Sequence, residues 1–217
     1  MNGVTEIDIF VQEELMQQKV QNVEGISVVP LKLKYPQGAE KQLINAILGR
    51  SVQSGKLPID VGCVVDNVGT TLATYYAVQK NKPLFERVVT VTGSKVGKPS
   101  NFMVRVGTPV LSLLQKAEAN IDETGKAISG GPMMGFAQAD LAVPVVKATN
   151  AILCLPHDKN GAAENPVCLR CGKCVGVCPM GLQPLYMYRY SLCGQTEELR
   201  RLHLLDCMEC GSCSYVC

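Results

Sequence analysis

Cys168-Leu-Arg-Cys171-Gly-Lys-Cys174-Val-Gly-Val-Cys178-Pro179 and Cys207-Met-Glu-Cys210-Gly-Ser-Cys213-Ser-Tyr-Val-Cys217 repeat one spacing, C-x2-C-x2-C-x3-C, across an interval of 28 residues from Pro179 to Asp206. A cubane cluster needs four thiolates converging from different directions, and two residues between ligands let a tight loop aim successive sulfurs at neighbouring irons. The small residues Gly172, Gly211 and Ser212 allow the backbone to come close. In two-cluster ferredoxins the fourth cysteine of each run ligates the other cluster. The expected ligand sets are therefore crossed: Cys168, Cys171, Cys174 and Cys217 for one [4Fe–4S] cluster, Cys207, Cys210, Cys213 and Cys178 for the second. Two such clusters pass electrons singly.

Two other chemistries use cysteine pairs. Zinc closes tetrahedrally with four ligands from two separated pairs, and the third in-register cysteine of each run is superfluous to it. Disulfides suit a secreted chain, but no charged-then-apolar signal segment opens this one. Of 11 cysteines, Cys63, Cys154 and Cys193 remain, and each reads as a small apolar filler.

The composition sets wide bounds. With 217 residues, 47% hydrophobic and 18% charged, the chain has material for one large or two small globular cores. No apolar run reaches the roughly 18 residues of a membrane-spanning helix. An oxidised cluster with its thiolates carries about −2, so two move the holo-chain from a formal +2 to about −2. No basic stripe interleaved with aromatics is present, so a nucleic-acid partner is not indicated. His157 and His203 share no ligand spacing and read as surface residues.

Upstream of the cysteines the texture alternates. Ile26–Leu33 reads as a strand, Ala39–Leu48 as a helix with Gly49 as its C-cap, Gly62–Val65 as a short buried strand, and about Thr71–Gln79 as a second helix. This alternation argues for an α/β layer. From about Leu84 to Val146 come strands at Arg87–Thr92 and Asn101–Val106, a helix near Val110–Ala117 and a glycine-rich stretch, a β-grasp-like pattern. Asp158–Pro166 is polar and reads as linker. Between the cysteine runs, Thr196 reads as the N-cap of a helix to about Leu205 that opens with Glu197 and Glu198.

One-electron clusters need a two-electron partner to exchange with a hydride donor, which points to a flavin. Two strand-to-helix turns are candidate sites: Tyr35-Pro-Gln-Gly38-Ala-Glu40-Lys41 and Asp66-Asn67-Val-Gly-Thr70-Thr71. Ser129-Gly-Gly-Pro-Met-Met-Gly135 is a third glycine-rich patch, read either as a cofactor cover or as a plain turn with core methionines.

Taken together, Lys34-Tyr-Pro-Gln-Gly-Ala-Glu-Lys-Gln-Leu-Ile44, Asp66-Asn-Val-Gly-Thr70, Gly130-Gly-Pro-Met-Met-Gly135 and Asp206–Cys217 closely resemble the C subunit of the Rnf electron-transport complex, over nearly the whole chain. The α/β zone is more distantly similar to the flavin-bearing, NADH-binding subunit of respiratory complex I. The resemblance implies a peripheral protein on the cytoplasmic face of the cell membrane that holds FMN and two [4Fe–4S] clusters, exchanges electrons with NADH, and works beside other subunits of a ferredoxin:NAD oxidoreductase that translocates ions, with ferredoxin as an indirect partner. It also implies α/β plus α+β architecture. Residues 1–83 would be the C-terminal part of a Rossmann-like FMN/NADH domain, 84–146 a β-grasp-like (SLBB) domain, 147–166 a linker and 167–217 a helical dicluster ferredoxin-type domain.

Carried over residue by residue, Tyr35, Gly38 and Glu40 match the first complex I turn, and Ala39 stands where that pattern has a glutamate. Asn67 and Thr70 match the second turn as FMN contacts, with Asp66 in place of an asparagine. The family's glycine-rich loop does not precede Ile26, and no proline follows Cys217, so both ends read as truncated. Two rival readings are a cobalamin-reductase-like flavoprotein of a bacterial microcompartment, with the same architecture, and a cluster-bearing scaffold without NADH turnover.

Overall fold

Alternation of side chains builds the sheet. In β2 (Glu86–Thr92) Val89 and Val91 are fully buried while their neighbours are only partly covered. β3 (Ser100–Arg105) buries Phe102 and Val104, and β6 (Ala151–Pro156) buries Ile152 and Cys154. These six side chains share a core with Val110, Leu113 and Leu114 of helix α3 (Val110–Lys116) and with Val145. Each fully buried aliphatic or aromatic side chain contributes about 1.5–3 kcal/mol over leaving it in water, so this face supplies the unit's main stabilisation. Off that face, Thr90 Oγ1 donates to Asn101 Oδ1 at 2.7 Å between directly paired residues of β2 and β3.

The computed structural model describes residues 4–7, 25, 27–157 and 167–217. The chain divides into two compact units, Met1–Gln18 with Asp66–Ala162 and Lys19–Val65 with Ala163–Cys217. The first holds a six-stranded mixed sheet in the order β1-β3-β2-β6-β4-β5, where β1 is Val4–Ile7, β4 Thr124–Ser129 and β5 Phe136–Ala137. β2 runs parallel to β6 and every other pairing is antiparallel. Gly93, at the end of β2, has φ 128° and lies so close to the Cys154 backbone that a Cβ would overlap its carbonyl. Only glycine permits that approach.

This unit corrects one expectation. The linker expected over 147–166 contains β6, a buried strand between β2 and β4. Its run Ala-Ile-Leu-Cys-Leu-Pro is apolar without an alternating polar pattern; in the sheet Ile152 and Cys154 face the core and Leu153 between them is half-buried. The polar stretch Asp158–Pro166 lies outside the described residues. The Gly130–Gly135 patch is a tight turn between β4 and β5, in which Gly135 N–H donates to the Gly131 carbonyl at 2.8 Å. The helix expected from Thr71 starts earlier, as α2 (Val68–Lys80), because Asn67 caps it.

The second unit is helical. It contains α1 (Glu40–Leu48), a 3-10 turn at Pro58–Val61, α4 (Lys173–Gly176), α5 (Pro184–Leu192), α6 (Thr196–Arg201), a 3-10 turn at Leu204–Asp206 and α7 (Ser212–Tyr215). Gly49 closes α1 in the left-handed region at φ 66°, its N–H bonded to the Asn45 carbonyl, as the sequence predicts. Neither expected strand of this stretch forms. Residues 27–34 are irregular, with Pro30 unable to donate to a ladder, and Ile26 lies outside the described residues. Gly62 caps the Pro58–Val61 turn at φ 72°, which breaks the run Gly62–Val65 at its first residue. Thr196 is the first residue of α6, and Gln195 holds the cap position without a side-chain bond. Glu197 and Glu198 at its start and Arg200 and Arg201 at its end complement the helix dipole.

Candidate iron–sulfur and flavin sites

The two cysteine runs fold as twins. Arg170 (φ 57°) and Glu209 (φ 54°), each just before the second cysteine, are left-handed. Gly172 (φ 77°) and Gly211 (φ 75°), each just after it, are left-handed again. A four-residue helix follows in each, α4 and α7, then an αR valine, Val177 or Val216, then the fourth cysteine. The two short helices pack against each other. Two left-handed residues flank the second cysteine of each run and turn its backbone sharply there, and turns of this kind can present peptide N–H groups to an anion.

The cysteines differ in exposure. Cys210 is buried, Cys174, Cys178 and Cys213 are half-buried, and Cys168, Cys171, Cys207 and Cys217 are exposed. Two sulfurs already accept backbone hydrogen bonds: Leu182 N–H donates to Cys178 Sγ at 3.3 Å and Glu209 N–H to Cys207 Sγ at 3.4 Å. Such N–H···S bonds draw charge from a ligating thiolate and are a principal means of tuning a cluster. Among the described residues no three His, Cys, Asp or Glu side chains converge on a point that would hold one metal ion. A cubane does not require that, since its four thiolates are spread over four irons. The donor set, eight thiols on twin loops with backbone N–H groups already on two of the sulfurs, fits [4Fe–4S] clusters.

The expected flavin residues fall in both units. Tyr35, Gly38 and Glu40 belong to the helical unit and Asp66, Asn67 and Thr70 to the sheet unit. At the first turn, Glu40 opens α1, whose Ala39 cap position carries no side-chain bond, so the helix start retains free N–H donors. Gly38 has no positive φ, and a Cβ there would meet nothing within 4 Å. The glycine is demanded neither by backbone nor by protein packing, and it leaves an open face beside those donors. At the second turn, Asn67 Oδ1 accepts the Gly69 N–H at 2.8 Å and Asp66 Oδ1 accepts the Asn67 N–H at 2.8 Å. Asn67 is thus a helix cap in its own right, worth about 1 kcal/mol, while the Thr70 side chain stands exposed in the first turn.

Tyr35 does something that its motif does not announce. Its hydroxyl donates to the Cys210 carbonyl at 2.6 Å, across 175 residues of sequence. Desolvation, and after it the charge of Cys210, hold the phenol above its ordinary pKa. Gln42 and Ser54 also reach the cysteine loops, through Pro179 and Met180 and through Asp206. No local pattern signals these residues. Of the three spare cysteines, Cys63 and Cys154 are buried as expected, but Cys193 is exposed at the end of α5 and fills no core. His157 and His203 are both exposed.

Three family models match successive stretches of the chain. Residues 5–76 match the Nuo51 FMN-binding domain, 88–137 the SLBB domain and 162–217 the 4Fe-4S dicluster domain. The chain thus combines, in this order, stretches similar to an FMN-binding, an SLBB and a dicluster module. More particularly, over the stretch it spans, the chain is a homologue of the C subunit of ion-translocating ferredoxin:NAD(+) oxidoreductase complexes. It is 44% identical over 193 residues to the C subunit of the Na(+)-translocating ferredoxin:NAD(+) oxidoreductase complex of Acetobacterium woodii, covering 89% of this chain and 44% of that protein. It is 45% identical over 185 residues to the proton-translocating counterpart of Clostridium ljungdahlii, covering 83% and 40%. The C subunit of the ion-translocating oxidoreductase complex of Yersinia pseudotuberculosis is 42% identical over 192 residues, 88% of this chain and 28% of that protein. The chain spans less than half the length of these relatives.

Proposed function

We propose that this chain is the electron-transfer part of such a C subunit, exchanging electrons between NADH and FMN on one side and two [4Fe–4S] clusters on the other. The observation that carries this reading is the pair of twin cysteine loops, alike in spacing, left-handed positions and trailing helix. Cys168, Cys171, Cys174 and Cys217 would hold the first cluster, and Cys207, Cys210, Cys213 and Cys178 the second. FMN, when bound, supplies the exchange between a hydride donor and single-electron carriers. The chain's own residues bind and orient. The free N–H donors at the start of α1 and the open face at Gly38 suit a phosphate or ring edge approaching the backbone. Glu40 lies in the first turn of that helix, and Ala39 stands where complex I has the first of two consecutive glutamates, which we expect to alter contacts to a dinucleotide. Asn67 caps α2 and, with Asp66 and Thr70, supplies polar atoms for the flavin. We place 1–83 in a Rossmann-like FMN/NADH domain and 84–146 in a β-grasp-like SLBB domain, supported by the matches over 5–76 and 88–137 and by the antiparallel β2–β3 pair followed by α3.

The partners in this reading are the other subunits of a membrane-bound complex, with ferredoxin reached through them. Among the described residues no helix is long and apolar enough to cross a membrane, and we propose a peripheral place on the cytoplasmic face, a reading the family relation supports. Ion translocation would belong to the assembly. The test is NADH-dependent reduction of an artificial acceptor by the protein reconstituted with iron, sulfide and FMN. Acceptor reduction that requires both FMN and NADH is expected. Bound clusters with no FMN and no turnover would overturn the enzymatic reading.

A further inference from the structure

Three side chains of the segment 35–54 hydrogen-bond to the cysteine region, and all three end on the loops that carry one cluster's ligands. Tyr35 O–H donates to the Cys210 carbonyl at 2.6 Å. Gln42 Nε2 donates to the Pro179 carbonyl at 3.3 Å and approaches Met180 Sδ at 3.2 Å. Ser54 O–H donates to Asp206 Oδ1 at 2.6 Å. Cys210 is itself a proposed ligand, Pro179 follows the ligand Cys178, and Asp206 precedes the ligand Cys207. Under crossed ligation Cys178, Cys207 and Cys210 all belong to the second cluster, although Cys178 comes from the first run. Among the described residues, no side-chain hydrogen bond from 35–54 reaches 168–177 or 213–217.

We infer that Tyr35, Gln42 and Ser54 are positioning residues for the second cluster alone, so that the segment bearing the flavin-side turn sets the properties of that cluster and leaves the first to its own loop. The inference rests on the proposed ligand sets. Its physical basis is direct. A hydroxyl donating to the Cys210 carbonyl polarises the 210–211 peptide and strengthens the Gly211 N–H as a donor in the loop. It also fixes the left-handed Gly211 that turns the loop. Donors around a cluster's sulfurs stabilise its more negative, reduced form. Removing the hydroxyl therefore makes reduction of that cluster harder. Gln42 and Ser54 act by holding the chain on either side of the same cluster, one beyond Cys178 and one before Cys207.

The test uses the reconstituted chain, dithionite reduction and electron paramagnetic resonance with redox titration, none of which requires turnover. Cys171→Ala and Cys213→Ala assign the two reduced-cluster signals to the first and second clusters. Cys178→Ala must remove the same signal as Cys213→Ala. Tyr35→Phe is expected to move the midpoint potential of that signal to a more negative value and leave the other within the scatter of repeat titrations. Gln42→Met and Ser54→Ala are expected to change the same signal's line shape or its rate of loss to a chelator, and they carry the test if Tyr35→Phe does not assemble. Equal movement of both signals, movement of the first alone, or no movement in any of the three variants overturns the inference. Separate signals lost in Cys178→Ala and Cys213→Ala overturn it too, by removing the crossed ligation. Failure of the unsubstituted chain to assemble clusters overturns instead the functional reading on which it rests.

Discussion

Two glycines of the first cysteine loop, Gly172 and Gly176, should respond to alanine with opposite signs. Gly172 has φ 77°, and a Cβ there would meet nothing within 4 Å. The cost of Gly172→Ala is therefore one of backbone conformation alone, about 1–2 kcal/mol for placing an L-residue in the left-handed region. Gly176 ends helix α4 without a positive φ, and its Cβ also has open space. Gly176→Ala should gain from helix propensity, up to about 1 kcal/mol and less at a helix end. Gly172→Asn should recover part of the loss, since asparagine tolerates the left-handed region. The assay is release of iron from the reconstituted chain to an excess of chelator, followed by loss of cluster absorbance. If loop opening precedes release, about 1–2 kcal/mol corresponds to roughly a 5- to 30-fold faster rate for Gly172→Ala. Gly176→Ala should be no faster than the unsubstituted chain. Equal acceleration by both alanines, or none by Gly172→Ala, would refute the claim that left-handed geometry shapes the loop.

Other expectations follow from packing and charge. Leu113→Ala, at a fully buried position under β2, β3 and β6, should cost about 2–5 kcal/mol in denaturant unfolding; a loss below about 1 kcal/mol would mean that α3 is not the floor of that core. Cys193 should react with iodoacetamide in the native protein while Cys154 stays protected until the sheet unfolds, as read by mass spectrometry in samples whose cluster cysteines are ligated. Burial raises the Cys154 pKa, with a weaker opposing hydrogen bond from Thr124. The folded state thus keeps its proton where the unfolded thiol has lost it, and this contribution to stability, complete below the ordinary thiol pKa, declines as pH rises beyond it. Cys154→Ala should flatten that alkaline decline. Asn67→Ala should destabilise the sheet unit by about 1 kcal/mol through loss of the α2 cap, and Asn67→Asp should retain the cap while placing a negative charge at the proposed flavin turn. Weakened FMN binding in Asn67→Asp with unchanged thermal stability would separate the two roles.

Much of this molecule is legible locally. The β2 and β3 runs alternate buried and less buried side chains, and α1 ends on a glycine in the conformation its position predicts. The cysteine spacing carries the cluster chemistry because the loop geometry is encoded within each short run. What escapes local reading is long-range. Ala151–Pro156 looks like the edge of a linker until the sheet places it between β2 and β4. Ile26, Val28 and Val29 look strand-forming, yet residues 27–34 form no strand, since β propensity needs a partner to make a ladder. Tyr35 shows the same limit within the site. Its motif marks a flavin turn, and its hydroxyl is spent on a cysteine carbonyl 175 residues away.

In the proposed reading the twin loops hold two four-iron clusters. Iron and acid-labile sulfide determined on the anaerobically reconstituted chain should each approach about eight per chain, falling to about four on Cys213→Ala. Stoichiometric zinc in their place, or about four of each in the unsubstituted chain, would contradict it.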